Sequence, residues 1–203
     1  MSHAHDPAAA ARIPPVVAIA ASAGGIGALE ALLGALPAGF PAAVLALVHL
    51  QPGRVSILPR MLARATVLPV KQAAAMDRPR AGHVYVAAPD FHLVMGPGGR
   101  LQLSGADREN WARPSADPLF ESVARVCGAG AFAVVLSGMG SDGSRGVGEV
   151  HRRGGTVIAQ DGATSVHFAM PSASISTGFV DHVVPLPDIA PLLMRLLMPA
   201  TAS

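Results

Sequence analysis

The sequence predicts an α/β fold: a mainly parallel sheet flanked by helices on both faces, with a local antiparallel hairpin. Three observations predict it. Apolar runs at 16–21, 43–49 and 131–136 are strand-length and lack polar alternation, as in strands buried on both sides. Segments with helical spacing lie between the short runs. In the middle of the chain, two brief apolar runs flank Pro97-Gly98-Gly99, a hairpin signal.

The elements follow in order. Residues 1–12 read as a solvated, disordered tail, with weak metal binding by His3 and His5 the lesser alternative. Residues 16–21 form a strand and 22–27 a glycine-rich turn. A helix over 26–36 has Ile26, Leu29, Leu33 and Leu36 on one face, and Pro37 stops it. Residues 43–49 form a second strand, broken by Pro52 and Gly53. Residues 55–65 are helical, burying Ile57, Leu58, Met61 and Leu62, and 66–72 read as a strand. Strands are expected at 83–87, 93–95 and 101–103, then a polar loop at 105–115. Asp117 is expected to cap a helix from Pro118 to Cys127, with Gly128 as its stop. A strand at 131–136, a loop at 137–143 and a helix at 144–153 follow. The chain closes with a strand at 156–159, a short helix at 171–177, a strand at 181–184 and a helix at 189–198. One domain, 13–198, is expected between tails at 1–12 and 199–203.

Composition narrows the function. Of 203 residues, 51% are apolar and 14% charged, enough to build a core without a staple. Much of the mean hydropathy of +0.44 comes from alanine. The best apolar stretch, 16–36, holds four glycines and Glu30, so membrane insertion is not expected. No secretory leader is visible, and Cys127 is the only cysteine, so a soluble cytoplasmic protein is expected. Fourteen arginines are scattered and aromatics make up 4%, which argues against nucleic acid.

In open α/β sheets, ligands bind beyond the carboxyl ends of strands. Ser22 follows the first predicted strand and His49 ends the second. Asp142 lies in the loop Ser137-Gly138-Met139-Gly140-Ser141-Asp142-Gly143 after the strand at 131–136. A serine, a histidine and an aspartate on one rim form the set for acyl transfer: nucleophile, base and orienting carboxylate. Ser22 also precedes a helix N-terminus. The free N–H groups there, with the glycine-flanked amide of Met139, could hold an oxyanion. The bland readings are a helix-capping serine, a packed histidine and a turn aspartate. A rival reads Ser22-Ala23-Gly24-Gly25-Ile26-Gly27 as a dinucleotide-binding turn. Serine stands where that turn wants its first glycine, and His49 where it wants an acid.

With these residues in place, the sequence resembles the catalytic domain of the CheB-type chemotaxis protein-glutamate methylesterases. The resemblance rests on Ala21-Ser22-Ala23-Gly24-Gly25, Val48-His49-Leu50 and Ala88-Pro89-Asp90-Phe91-His92-Leu93. It continues through Arg113-Pro114-Ser115-Ala116-Asp117-Pro118-Leu119-Phe120 and Leu136-Ser137-Gly138-Met139-Gly140-Ser141-Asp142-Gly143. Ile158-Ala159-Gln160-Asp161, Thr164-Ser165-Val166 and Met170-Pro171 complete it. It implies a doubly wound α/β fold with an antiparallel hairpin. It implies hydrolysis of γ-glutamyl methyl esters on chemoreceptor helices to glutamate and methanol, with deamidation of receptor glutamines in some relatives. The implied triad is Ser22, His49 and Asp142, with oxyanion amides at Met139 and Ala23. Gly24, Gly25, His92, Gly138 and Gly140 are candidates to line the cleft, with a structural role equally open for His92. No cofactor or metal is implied.

Two departures are local. Ala23 stands where relatives often have threonine, and 51–56 lacks the phenylalanine-threonine pair expected after the histidine. A third concerns control. Twelve residues before Ile13 are too few for the phosphorylated receiver domain many relatives carry. Regulation is therefore expected from a separate partner chain or from substrate supply, or to be absent. A non-catalytic receptor-binding or regulatory module is the alternative reading.

Overall fold

Alternate residues of one strand feed two separate cores. The computed structural model describes residues 13–49 and 56–198. In β1 (Val16–Ala21) every residue is buried. Val17, Ile19 and Ala21 face one layer of helices, while Val16, Ala18 and Ala20 face another. This is the period-2 geometry of a strand covered on both sides.

The order along the chain is β1, α1 (Gly25–Gly34), β2 (Ala43–Val48), α2 (Leu58–Ala65), β3 (Val70–Gln72), β4 (Val84–Val86), β5 (His92–Met95) and β6 (Leu101–Ser104). Then come α3 (Ala116–Cys127), β7 (Ala131–Val135), α4 (Ser144–Arg152), β8 (Thr156–Gln160), α5 (Ala169–Ile175), β9 (His182–Val184) and α6 (Leu186–Leu197). Among the described residues, seven parallel strands pair in the order β3-β4-β2-β1-β7-β8-β9. The chain builds outward on one side of β1, then returns to its other side with β7. The sheet is doubly wound, and its direction switches between β1 and β7, where such folds bind ligands.

Helices α1, α2 and α6 cover one face through Leu29, Leu33, Leu62 and Leu193. Helices α3, α4 and α5 cover the other through Phe120, Val123, Val147 and Met170. Strands β5 and β6 form the expected antiparallel hairpin over that second face. Gly98 (φ 71°) and Gly99 (φ 73°) close it, in a left-handed conformation that glycine adopts without strain. The Met95 N–H donates to Ser122 Oγ at 2.9 Å and fastens the hairpin to α3.

Several boundaries differ from the sequence reading. The strand expected at 66–72 begins at Val70. Thr66 Oγ1 accepts the Leu68 N–H at 3.2 Å, a local turn that competes with pairing, and Pro69 lacks a donor. Helix α6 starts at Leu186 because Pro187 suits a first helical turn. Asp117 does not cap α3; it lies inside the first turn. Its Oδ1 instead accepts the Gly146 N–H at 2.8 Å and ties α3 to α4. The expected tails at 1–12 and 199–203, with His3 and His5, lie outside the described residues. So do the Pro52-Gly53 break and the start of the helix expected from Val55.

Glycine also permits the α3–α4 approach. A Cβ at Gly146 would stand 2.7 Å from Phe120 Cβ and 3.2 Å from the Asp117 carbonyl oxygen. Gly146→Val is expected to lower unfolding free energy by about 2 kcal/mol or more through overpacking. Urea denaturation should show an earlier midpoint at unchanged slope. An unshifted midpoint would show that the two helices are not in this close contact.

Candidate active site

Backbone hydrogen bonds carry the parallel ladder one step past the strands and fix three loops at one height. The Ser22 N–H donates to the Ser137 carbonyl at 3.0 Å, and the His49 N–H donates to the Ala21 carbonyl at 3.1 Å. Ser22 then enters a tight turn. The Gly25 N–H returns to the Ser22 carbonyl at 2.9 Å, and Gly24 has φ 71°, ψ −3°, as at the third position of a type II turn. Helix α1 begins directly after it.

Asp142 is the most heavily bonded side chain of the site. It is 3% exposed. Oδ2 accepts His49 Nε2–H at 2.7 Å and the Ala116 N–H at 2.6 Å. Oδ1 accepts the Ser115 hydroxyl at 2.6 Å, the Asn110 amide at 2.8 Å and the Asp117 N–H at 3.3 Å. Two of these donors are first-turn amides of α3, so Asp142 caps α3 from a distant loop and meets the positive end of its dipole. The Ser115 hydroxyl, free in principle to cap α3 itself, is committed to Asp142.

The electrostatics follow from this. Burial pushes the Asp142 carboxyl upward. Hydrogen bonds from His49, Ser115 and Ala116, with the electrostatic pull of the His49 ring, outweigh burial and hold it below the usual carboxylate range. Asp117 goes the other way. Its burial dominates the Gly146 and Asn110 bonds, the Asp142 charge adds to it, and its carboxyl is raised. The Asn110 amide bridges the two acids, at 2.8 Å from each.

An ionised Asp142 fixes the imidazole tautomer. Nε2 carries the proton toward Asp142, which leaves the Nδ1 lone pair as the base. Ser22, Ala23, Gly24, Ile26, Gly27, Val48 and His49 line one cavity of about 450 Å³. Ser22 and His49 thus share a wall, with Asp142 behind the histidine. A larger cavity, about 540 Å³, lies at the opposite end of β1 against Ile13, Pro15 and Cys127. Burial pushes the Cys127 thiol up to about 11, so it is not a ready nucleophile.

The remaining candidates separate. Gly138 packs against the serine: a Cβ there would lie 2.9 Å from Ser22 Cβ. Met139 follows it and is exposed. Among the described residues the N–H groups of Met139 and Ala23 make no hydrogen bond. Gly140 is exposed, with φ 84°. Gly24 lines the cavity, but Gly25 is buried, and a Cβ on it would strike Ala21 Cβ at 2.6 Å and the Ser137 carbonyl at 2.7 Å. His92 takes the structural alternative. It is 1% exposed, its Nε2 donates to the Asp107 carbonyl at 2.9 Å, and its Nδ1 accepts the Ser115 N–H at 3.2 Å. It braces the 105–115 loop and does not line the cleft. Among the described residues no group of three His, Cys, Asp or Glu could hold a metal ion.

Sequence reasoning missed the supports. Asn110 and Ser115 hold Asp142. Gln160, fully buried, accepts the Ser137 N–H at 2.8 Å and donates to the Thr164 carbonyl at 2.8 Å. Ser137 Oγ donates to the Ala23 carbonyl at 3.1 Å and accepts the His167 N–H at 3.0 Å. The signal that could have found Asn110 is its type, since asparagine adopts the left-handed conformation (φ 51°) seen here.

Known proteins resemble this chain in sequence and fold. A profile described as CheB methylesterase matches residues 17–193. The chain is 45% identical over 177 residues to protein-glutamate methylesterase/protein-glutamine glutaminase 4 of Myxococcus xanthus, covering 87% of this chain and 50% of the relative. It is 39% identical over 192 residues to the protein of that name (unnumbered) from Pyrococcus abyssi, covering 93% and 52%. The chain thus spans about half the length of these curated relatives. The crystal structure of the Thermotoga maritima CheB methylesterase catalytic domain superposes with a TM-score of 0.86 at 36% identity, covering 90% of this chain and 98% of that one.

Asp142→Asn removes the charge that these donors surround. With its carboxyl held low, Asp142 stabilises the fold above the unfolded-state value near 4, and that stability is lost as pH falls through the lower folded value. At pH 7 the variant is expected to lose about 2 kcal/mol, or roughly 4–8 °C in Tm. Wild type and variant should begin to converge as pH falls below about 4 and meet once it is below the lower folded value. A deficit unchanged into strong acid would contradict the assignment.

Proposed function

The chain belongs to the CheB methylesterase family, and on that premise we propose that it hydrolyses γ-glutamyl methyl esters on chemoreceptor helices, releasing glutamate and methanol. The observation that carries the proposal is the 2.7 Å His49–Asp142 hydrogen bond, with Ser22 and His49 on one cavity wall.

The chemistry follows from the tautomer. His49 Nδ1 takes the Ser22 proton as Oγ attacks the ester carbonyl. The imidazolium is stabilised by ionised Asp142. The Met139 and Ala23 amides receive the developing oxyanion, a contribution worth about 10²–10³ in rate per donor. His49 then hands its proton to the departing methoxide, giving methanol and a glutamyl-serine ester. A water molecule, deprotonated by Nδ1, attacks that ester, and Ser22 recovers its proton as glutamate leaves. The same path run on a glutamine side chain would release ammonia, the deamidation in the relatives' names. A cytoplasmic receptor segment is the proposed setting. The presence of Ser22, His49 and Asp142 on one rim supports this reading over a non-catalytic module.

Ser22→Ala and His49→Ala are expected to lower methanol release from methylated receptor by at least about 10³-fold. An active-site fluorophosphonate should label Ser22 in the wild type. Equal release from all three proteins would overturn the proposal. Receptor binding without labelling of Ser22 would favour the non-catalytic module.

A further inference from the structure

Trp111 is the only tryptophan of the chain and is 93% exposed. Solvent contact of a whole indole is unfavourable. Its backbone is unfavourable too. Asn110 (φ 51°) and Trp111 (φ 63°) are both left-handed, in a two-residue turn closed by reciprocal Glu109 and Ala112 hydrogen bonds of 3.2 and 2.9 Å. A bulky side chain is rarely found there.

The turn is nonetheless clamped on every side. Glu109 pairs with Arg145. Asn110 donates to Asp117 and Asp142 at 2.8 Å each. Arg113 donates to the Gly105 and Ala106 carbonyls at 3.1 and 2.9 Å, and His92 holds the Asp107 carbonyl. A loop so fixed holds its indole out in water. Its place is equally specific. The residue before Trp111 is hydrogen-bonded to Asp142, which is hydrogen-bonded to His49. Apolar side chains also stand exposed elsewhere on this rim: Met139 beyond β7, and Val166, whose Cβ lies 2.7 Å from where a Gly24 Cβ would be.

We propose that Trp111 is the anchor that grips the substrate helix carrying the scissile ester. This rests on the proposed methylesterase reading and adds how the macromolecular substrate is held. A cavity of about 450 Å³ admits a glutamyl side chain, but a helix is about 10–12 Å across and must lie over the rim. On this proposal a helix seated over His49 meets the Trp111 turn, tied to His49 through Asn110 and Asp142, on one side and the exposed Met139 and Val166 on the other. Tryptophan anchors dominate such contacts because they bury a large rigid surface. The occupant is therefore the helix bearing the ester, with small or apolar residues beside the esterified position.

The lone indole is its own probe. With Ser22→Ala enzyme and a methyl-esterified receptor helical fragment, Trp111 emission should shift to the blue and resist iodide quenching. In the catalytically intact background, Trp111→Gly relieves the backbone strain, so Tm should not fall. It should cut kcat/KM on the esterified fragment about tenfold or more, through KM. Hydrolysis of N-acetylglutamate γ-methyl ester should stay within about twofold, and Trp111→Phe should recover most of the loss on the fragment. Equal losses on both esters, no loss on the fragment, or unchanged emission would overturn the anchor. So would a dimer in sedimentation that Trp111→Gly dissolves, since the indole would then bind a second copy. A wild type active on the small ester but inert on the fragment would refute the substrate class and the anchor together. Inertness on both would refute the hydrolase reading itself.

Discussion

A buried carboxylate must be surrounded by donors, and the architecture of this site follows from how Asp142 meets that requirement. Five groups converge on its two oxygens: a ring N–H, a hydroxyl, a side-chain amide and two helix-start amides. Left alone, a buried charge would take up a proton or move to solvent. Held this way it stays ionised, which fixes the His49 tautomer and leaves the Nδ1 lone pair for the role the proposed mechanism gives it. The same bonds satisfy the start of α3 and pin the 105–115 loop. One interaction thus serves helix capping, loop order and, in the proposed mechanism, acid–base chemistry.

The surrounding fold delivers the partners. Strands β1, β2 and β7 are adjacent and parallel, so Ser22, His49 and the 137–143 loop leave the sheet side by side at its switch point. Small residues allow the last ångströms. Gly138 permits the β7 loop to touch Ser22, and Gly25 permits α1 to start against the Ser137 carbonyl. Gln160 and Ser137 stitch the β8 loop to the same point.

The strands were legible because burial on both faces writes an unbroken apolar run, and β1 matches its expected bounds. That Ser22, His49 and Asp142 meet on one rim was legible because each stands in the loop or at the strand end just past such a run. Their supports were not. Asn110, Ser115 and Gln160 act through contacts 32, 27 and 23 residues away, and nothing local marks a polar loop residue as one partner of a distant carboxylate or amide. His92 stayed open between cleft and structure for the same reason: its partners, a carbonyl and an amide, carry no sequence signature. Asp117 looked like a cap because it precedes Pro118, yet the cap came from Asp142. Which imidazole nitrogen meets the acid was beyond sequence altogether.

Nitrogen NMR of the neutral His49 imidazole tests this arrangement most directly. Expected is a proton on Nε2, shifted far downfield by its bond to Asp142, with Nδ1 bare. That signal should vanish in Asp142→Asn. A ring protonated on Nδ1, or an Nε2 proton indifferent to the loss of the Asp142 charge, would contradict the role assigned to this carboxylate.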